Sequence, residues 1–144
     1  MFTKIGIACD ESAEAARALK AAIGLASALK AQLHVITVAE GPPAYTAYGL
    51  VGDSSILQTI GEDRLTLYAD LHKKVREMAA EEEVAVLTHL LAGDKVDTIV
   101  RCVREHKIDL LVMGLHHRSS RISRLWSTVY TLSQELSCSV LGVH

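Results

Sequence analysis

The sequence has neither a long apolar segment nor an N-terminal export signal. No apolar run in its 144 residues approaches the roughly 20 residues that a membrane-spanning helix needs. The N-terminal stretch MFTKIGIACDES contains no basic region followed by a long apolar run, so it is not typical of a signal peptide. These absences predict a cytoplasmic protein that is not embedded in a membrane.

Cysteine is scarce and badly placed for cross-linking. The chain has three cysteines, Cys9, Cys102 and Cys138, which are far apart and form no CxxC motif. An odd number at such spacing favours neither a disulfide framework nor a zinc site. We expect three buried thiols that behave as small apolar side chains in the reducing cytosol.

The familiar catalytic and cofactor motifs are also missing. The sequence contains no GxGxxG, P-loop, GxSxG or HExxH pattern. The adjacent pair His116–His117 is a poor metal-binding signature, because neighbouring histidines seldom chelate one ion. Four further histidines fall on separate predicted elements and are expected to be scattered: His34, His72, His89 and His106. We therefore predict no catalytic residue, no metal site and no enzymatic activity.

What the sequence does contain is typical of one globular domain spanning residues 1–144. Hydrophobic residues make up 49% and charged residues 22% of the chain, which is enough apolar material for one substantial core. The formal net charge is only −2. A protein that binds nucleic acid through its overall field is normally basic, so nucleic acid is not an expected partner.

Apolar periodicity alternates between that of strands and that of helices. Short apolar runs predict strands at Lys4–Cys9, at Gln32–Val38 and at the segments VAVLTHLLAG, DLLVMG and SVLGV. Helical spacing predicts helices between them, the last at Thr128–Leu136, and the Pro- and Gly-containing segment 39–54 is predicted to be a long loop. The order βαβαβαβαβ favours an open parallel sheet with helices on both faces.

Several segments, taken together, resemble one protein family. IACDES before an alanine-rich helix, HVITV, AGDKVDTIVRCVREHKIDLLVMG and CSVLGV are similar to segments of the universal stress protein (UspA-like) family in both order and spacing. The resemblance implies a Rossmann-like, adenine nucleotide alpha hydrolase-like fold with strand order 3-2-1-4-5. In such a sheet, ligands bind where strands one and four separate, beyond their carboxyl ends.

The resemblance also identifies candidate nucleotide-binding residues. The ATP-binding branch of the family carries Gly, two residues, Gly, nine residues, and then Gly followed by Ser or Thr. In this chain Gly114 and Thr128 match that pattern, whereas His117 and Ser127 stand where glycines are expected. The candidate set implied for ATP or AMP is Ala8, Cys9, Asp10, Val38, Met113, Gly114, His117, Arg118, Ser127, Thr128 and Val129.

Two interpretations of this site remain open. A histidine at position 117 loses the conformational freedom of glycine and adds a side chain where phosphate would approach. The segments GLHHR and YGLVGD resemble a second branch of the family, which lacks the glycine pattern and does not bind ATP. We therefore predict a non-catalytic stress-response or regulatory protein with a degenerate nucleotide site and no required cofactor. The alternative is a nucleotide-dependent switch that binds ATP or AMP.

The last predicted strand suggests a partner. An apolar strand at the edge of a sheet invites pairing with another chain. In the family this strand often pairs with its twin across a two-fold axis. The resemblance thus implies a homodimer through Val140, Leu141, Gly142 and Val143.

Overall fold

The computed structural model describes residues 1–40, 54–115 and 128–144, with the side chains of residues 54–62 left aside. Within these ranges the chain forms five strands and four helices. The strands are β1 (Lys4–Ala8), β2 (Gln32–Ala39), β3 (Val86–Ala92), β4 (Leu110–Gly114) and β5 (Ser139–Val143). The helices are α1 (Ala13–Leu29), α2 (Ser54–Glu81), α3 (Lys95–His106) and α4 (Thr128–Glu135).

All strand pairs are parallel, and the sheet has the order β3-β2-β1-β4-β5. The register places Ala8 beside Ile36 of β2 and beside Met113 of β4. The predicted α/β fold and its strand order are therefore confirmed. The predicted loop at 39–54 lies almost wholly outside the described residues.

Each face of the sheet carries its own apolar core. On one face, α1 and α2 pack against a cluster that includes Ile5, Leu33 and Val75. On the other, α3 and α4 pack against a cluster that includes Ile36, Ile99 and Leu132. Helices cover both faces because the strands, joined by crossover helices, are buried on both sides.

The chain reverses direction between strand and helix at capped turns. Ser12 caps α1, with its hydroxyl oxygen accepting a hydrogen bond from Ala15 N at 3.1 Å. Asp94 caps α3 in the same way, accepting from Asp97 N at 3.0 Å. Gly93, directly before that cap, has a φ of +138°, a conformation that favours glycine over residues with a β carbon. These turns lie at the carboxyl edge of the sheet and define its rim.

Candidate functional site

The candidate site lies at the carboxyl ends of β1 and β4, the two strands at which the order of the sheet reverses. Ala8 and Met113 are register partners at these ends. The chain leaves β1 towards α1, which packs on the face of the sheet that contains Ile5, whereas α4 packs on the opposite face. A crevice at such a switch point is where open α/β sheets bind ligands.

Apolar side chains form the floor of this crevice. Ala8, Val38 and Val129 are partly buried and pack against the same cluster, which contains Met113. Together with Met113 they come from β1, β2, β4 and α4, so the fold brings together four residues from separate elements. The strand ends thus have an apolar lining.

Asp10 lies at the rim, two residues beyond β1. One oxygen of its carboxylate accepts a hydrogen bond from Ser12 N at 2.9 Å. The other lies 3.8 Å from Nζ of Lys95, which begins α3. Both side chains are more than one-third exposed, so this ion pair contributes little to stability. The carboxylate is thus oriented by the turn and partly neutralised by a lysine.

A buried hydrogen-bond chain fixes the end of β1. Oγ1 of Thr37 lies 2.7 Å from the carbonyl oxygen of Cys9 and 2.7 Å from Nε2 of His72. The threonine hydroxyl has one proton, which it donates to Cys9, so it accepts its second bond from the Nε2–H of His72. Burial, followed by the charge of Arg76, lowers the pKa of His72, which favours the neutral ring, here with its hydrogen on Nε2. These two hydrogen bonds link α2, β2 and the end of β1 next to the candidate site.

The thiol of Cys9 is not poised for nucleophilic chemistry. It is buried, and burial together with the carboxylates of Asp10 and Glu11 raises its pKa to about 12. A thiol is a nucleophile only as the thiolate, which this environment disfavours. Cys9 therefore acts here as a small apolar side chain, as the sequence predicts.

Gly114 is constrained by packing. A β carbon at this position would lie 2.5 Å from the backbone carbonyl carbon and oxygen of Glu14, in the first turn of α1. The close approach of β4 to α1 therefore requires a glycine, whether or not a ligand is present.

Other predicted site residues are placed as follows. Thr128 and Val129 are the first two residues of α4. His117, Arg118 and Ser127 lie outside the described residues. The predicted dimer residues Val140 to Val143 form most of β5, an edge strand whose Leu141 is 37% exposed.

A family model describing the universal stress protein family matches residues 1–144, the whole chain. The chain belongs to the universal stress protein family. A universal stress protein of Methanocaldococcus jannaschii is 33% identical to it over 119 residues, which is 79% of this chain and 65% of that relative. The chain thus spans less than two-thirds of the length of that relative.

Solved structures agree on the fold. A universal stress protein family member from Burkholderia pseudomallei superposes with a TM-score of 0.76 at 25% identity, covering 99% of this chain and 96% of the other. A universal stress protein in complex with cAMP superposes with a TM-score of 0.76 at 22% identity, covering 99% and 97%. None of the helices in the described parts of this universal stress protein has both the length and the apolar character that crossing a bilayer requires.

Two features of this universal stress protein were missed by sequence reasoning. The first is the hydrogen bond between Thr37 and His72. One indication of it is present in the sequence, because Thr37 is a polar residue within a mostly apolar strand. The second is a group of three histidines. The expectation of scattered histidines is wrong for His34, His89 and His106, whose rings meet on one face of the sheet. The reason is that strand register and helix packing, which sequence separation does not reveal, bring them together.

Proposed function

We propose that this chain is a non-catalytic stress-response or regulatory protein whose nucleotide site is degenerate. The proposal rests on a difference between two parts of the candidate site, the strand ends and the segment expected to bind phosphate. The ends of β1 and β4 have apolar neighbours and Asp10 beside them, an arrangement that supports a site for a nucleotide base. His117 and Ser127, however, replace two glycines of the family's ATP-binding pattern.

We expect these two replacements of glycine to weaken binding of the phosphate groups more than binding of the base. Glycines in a phosphate-binding loop let backbone N–H groups approach the anion without an intervening β carbon. In that pattern a histidine ring at position 117 would take up this space, and a left-handed backbone there would cost roughly 1–2 kcal/mol. The apolar floor, by contrast, consists of residues that a planar base tolerates. We expect phosphate groups to be held poorly.

The absence of catalysis is supported by the groups beside the crevice. Cys9 is held as a thiol, and Nε2 of His72 is committed to Thr37. Cys9 therefore supplies no activated nucleophile, and Nε2 of His72 is not available as a general base. A regulatory role needs neither.

The second candidate function is a nucleotide-dependent switch that binds ATP or AMP. It is favoured by Thr128, whose hydroxyl and position at the start of α4 suit an anion. It is also favoured by the similarity in fold to a universal stress protein crystallised with cAMP. The two candidates differ in one property, the affinity for nucleotide.

We also propose that the protein is a homodimer that pairs β5 with β5. This strand is at the sheet edge and has no fully buried residue, and its outer side pairs with no other strand among the described residues.

Native mass spectrometry of the purified full chain tests both proposals in one measurement. We expect the mass of a dimer with no bound nucleotide. A stoichiometric mass increment of ATP or AMP would support the switch, and a monomer at micromolar concentration would exclude the β5 dimer.

A further inference from the structure

Three histidines from three elements meet at the amino-terminal half of the sheet, on the face covered by α3. His34 is the third residue of β2, His89 is the fourth of β3, and His106 is the last of α3. The register pairs His34 with Leu87, so the side chains of His34 and His89 are diagonal neighbours on one face. We call this group the histidine cluster. The nucleotide crevice lies at the opposite ends of the strands.

The distances within the histidine cluster are short. Nδ1 of His34 lies 3.0 Å from Nε2 of His89. The rings of His89 and His106 have centroids 4.4 Å apart, and one nitrogen from each of the three histidines lies within 4.8 Å of the others. In a tetrahedral zinc site with Zn–N bonds of about 2.0–2.1 Å, ligand nitrogens are about 3.3 Å apart. Small ring rotations bring the three nitrogens to that spacing.

A neighbouring amide orients the innermost ligand. Nε2 of His34 lies 3.2 Å from Oε1 of Gln32, an oxygen that can only accept a hydrogen bond. The hydrogen of His34 is therefore on Nε2, which leaves the lone pair of Nδ1 directed towards His89. Metal-binding histidines are commonly oriented in this way, by donating their other N–H to an oxygen.

We propose that the histidine cluster binds one divalent transition-metal ion of the Zn²⁺ class through Nδ1 of His34 and one ring nitrogen each of His89 and His106. Three imidazoles suit Zn²⁺, Cu²⁺, Ni²⁺ and Co²⁺, whereas Mg²⁺ and Ca²⁺ prefer oxygen ligands. On binding, His89 carries its hydrogen on Nδ1 instead of Nε2, so no net proton needs to leave the protein.

Access and charge set the character of this site. His34 is buried, but His89 and His106 are half-buried, and an open pocket of about 180 Å³ reaches His106 beside Cys102 and Glu105. Water can therefore supply the fourth ligand. The ammonium of Lys4 lies 3.2 Å from the carbonyl oxygen of His106, and its charge opposes a second cation. We expect micromolar affinity, weaker than that of a closed structural zinc site.

The metal would connect β2, β3 and α3, elements whose contacts on this face are otherwise made by apolar side chains. An ion that binds the folded chain and not the unfolded one stabilises the folded state. Thermal unfolding therefore reports binding independently of any activity.

The test is titration of EDTA-treated, untagged full-length protein with ZnCl₂ and with CoCl₂. We expect one ion per chain, a rise in unfolding temperature with Zn²⁺, and the intense visible absorption of tetrahedral Co²⁺. The variants His89→Gln and His106→Gln each change a half-buried ligand, which limits damage to the core. Each should lower Zn²⁺ affinity at least about tenfold, the lower end of the loss seen even for groups that merely orient a ligand.

A matched control changes a described histidine that is not in the histidine cluster, as His144→Gln, at the exposed residue that follows β5. This variant should keep the zinc affinity and the cobalt spectrum. Circular dichroism establishes that each variant is folded. The proposal is overturned if wild-type protein at micromolar concentration binds no Zn²⁺ when the ion is present in roughly 100-fold excess. It is equally overturned if folded His89→Gln and His106→Gln bind as tightly as the wild type.

Discussion

Gly114 touches the backbone of Glu14, and a β carbon on Gly114 would lie 2.5 Å from the Glu14 carbonyl oxygen. The first glycine of the family's nucleotide pattern is thus required by the contact between β4 and α1. Its presence in a chain that has lost two later glycines is therefore explained by packing. It does not by itself indicate that phosphate binds.

This contact predicts the effect of Gly114→Ala. The added carbon meets backbone atoms that cannot rotate away, so the free energy of unfolding should fall by about 1–3 kcal/mol. Gly24→Ala is the matched control, because a β carbon there has no neighbour within 4 Å and the position lies in the middle of α1. It should stabilise the protein by about 0.5–1 kcal/mol. Urea denaturation of both variants measures whether the free energy of unfolding falls for Gly114→Ala and rises for Gly24→Ala. The same change in both variants would contradict the packing account.

Thr37 predicts a second stability effect. Replacing it with valine keeps the shape but removes the hydroxyl between Cys9 and His72, which leaves a buried carbonyl and a buried ring N–H without this partner. Each such group costs about 1–3 kcal/mol. Thr3→Val serves as the control, since its hydroxyl bonds Asp109 at an exposed position. Denaturation should show a much larger fall in the free energy of unfolding for Thr37→Val than for Thr3→Val. Similar falls would contradict a stabilising role for the buried hydrogen bonds of Thr37.

The buried ring of His34 predicts the pH dependence of stability in metal-free protein. Burial, and then the neighbouring His89 and His106, lowers the pKa of His34 to about 4, from 6.5 in the unfolded chain. Between these values the unfolded chain binds the extra proton, so stability is full above pH 6.5 and falls as the pH drops towards 4. The loss should approach about 3 kcal/mol.

His34→Gln isolates this contribution. Glutamine does not titrate, so the decline in unfolding free energy between pH 6.5 and 4 should be shallower than in the wild type. Denaturant curves measured at several pH values in EDTA make the comparison. An unchanged slope would mean that His34 is not held neutral in the folded protein.

The fold was predictable because its signals are local. The apolar run Lys4–Cys9 and the alanine-rich segment after it indicate a strand and a helix from spacing alone, and the structure has both. The strand order could not be obtained in this way. It came from the resemblance to the family, since periodicity does not say which strands become neighbours.

The histidine cluster shows why the candidate sites were only partly predictable. His34 and His89 lie 55 residues apart in the sequence, yet their nitrogens are 3.0 Å apart. Their meeting depends on the exact register of β2 with β3, where a shift of one residue would turn His89 to the other face. His106 joins them because α3 ends above that point. None of these relationships leaves a pattern in the sequence.

The proposed dimer predicts different roles for the two edge strands. Leu141 of β5 and Leu87 of β3 are both exposed leucines on edges, at 37% and 44% exposure. Lysine on an edge strand blocks pairing with another sheet. Leu141→Lys should therefore give a monomer in light scattering, whereas Leu87→Lys should stay dimeric. A wild-type monomer, or dissociation by Leu87→Lys alone, would contradict pairing through β5.

The most direct test of the degenerate nucleotide site is an ATP titration followed by the fluorescence of Trp126, the single tryptophan, which directly precedes Ser127. We predict no saturable change in the wild type. The double variant His117→Gly with Ser127→Gly restores the glycine pattern and should gain at least about tenfold in ATP affinity, equivalent to about 1.4 kcal/mol. Calorimetry on the same samples confirms that fluorescence reports binding. Tight, saturable ATP binding by the wild type would contradict the account, because it would show that His117 is compatible with the ligand.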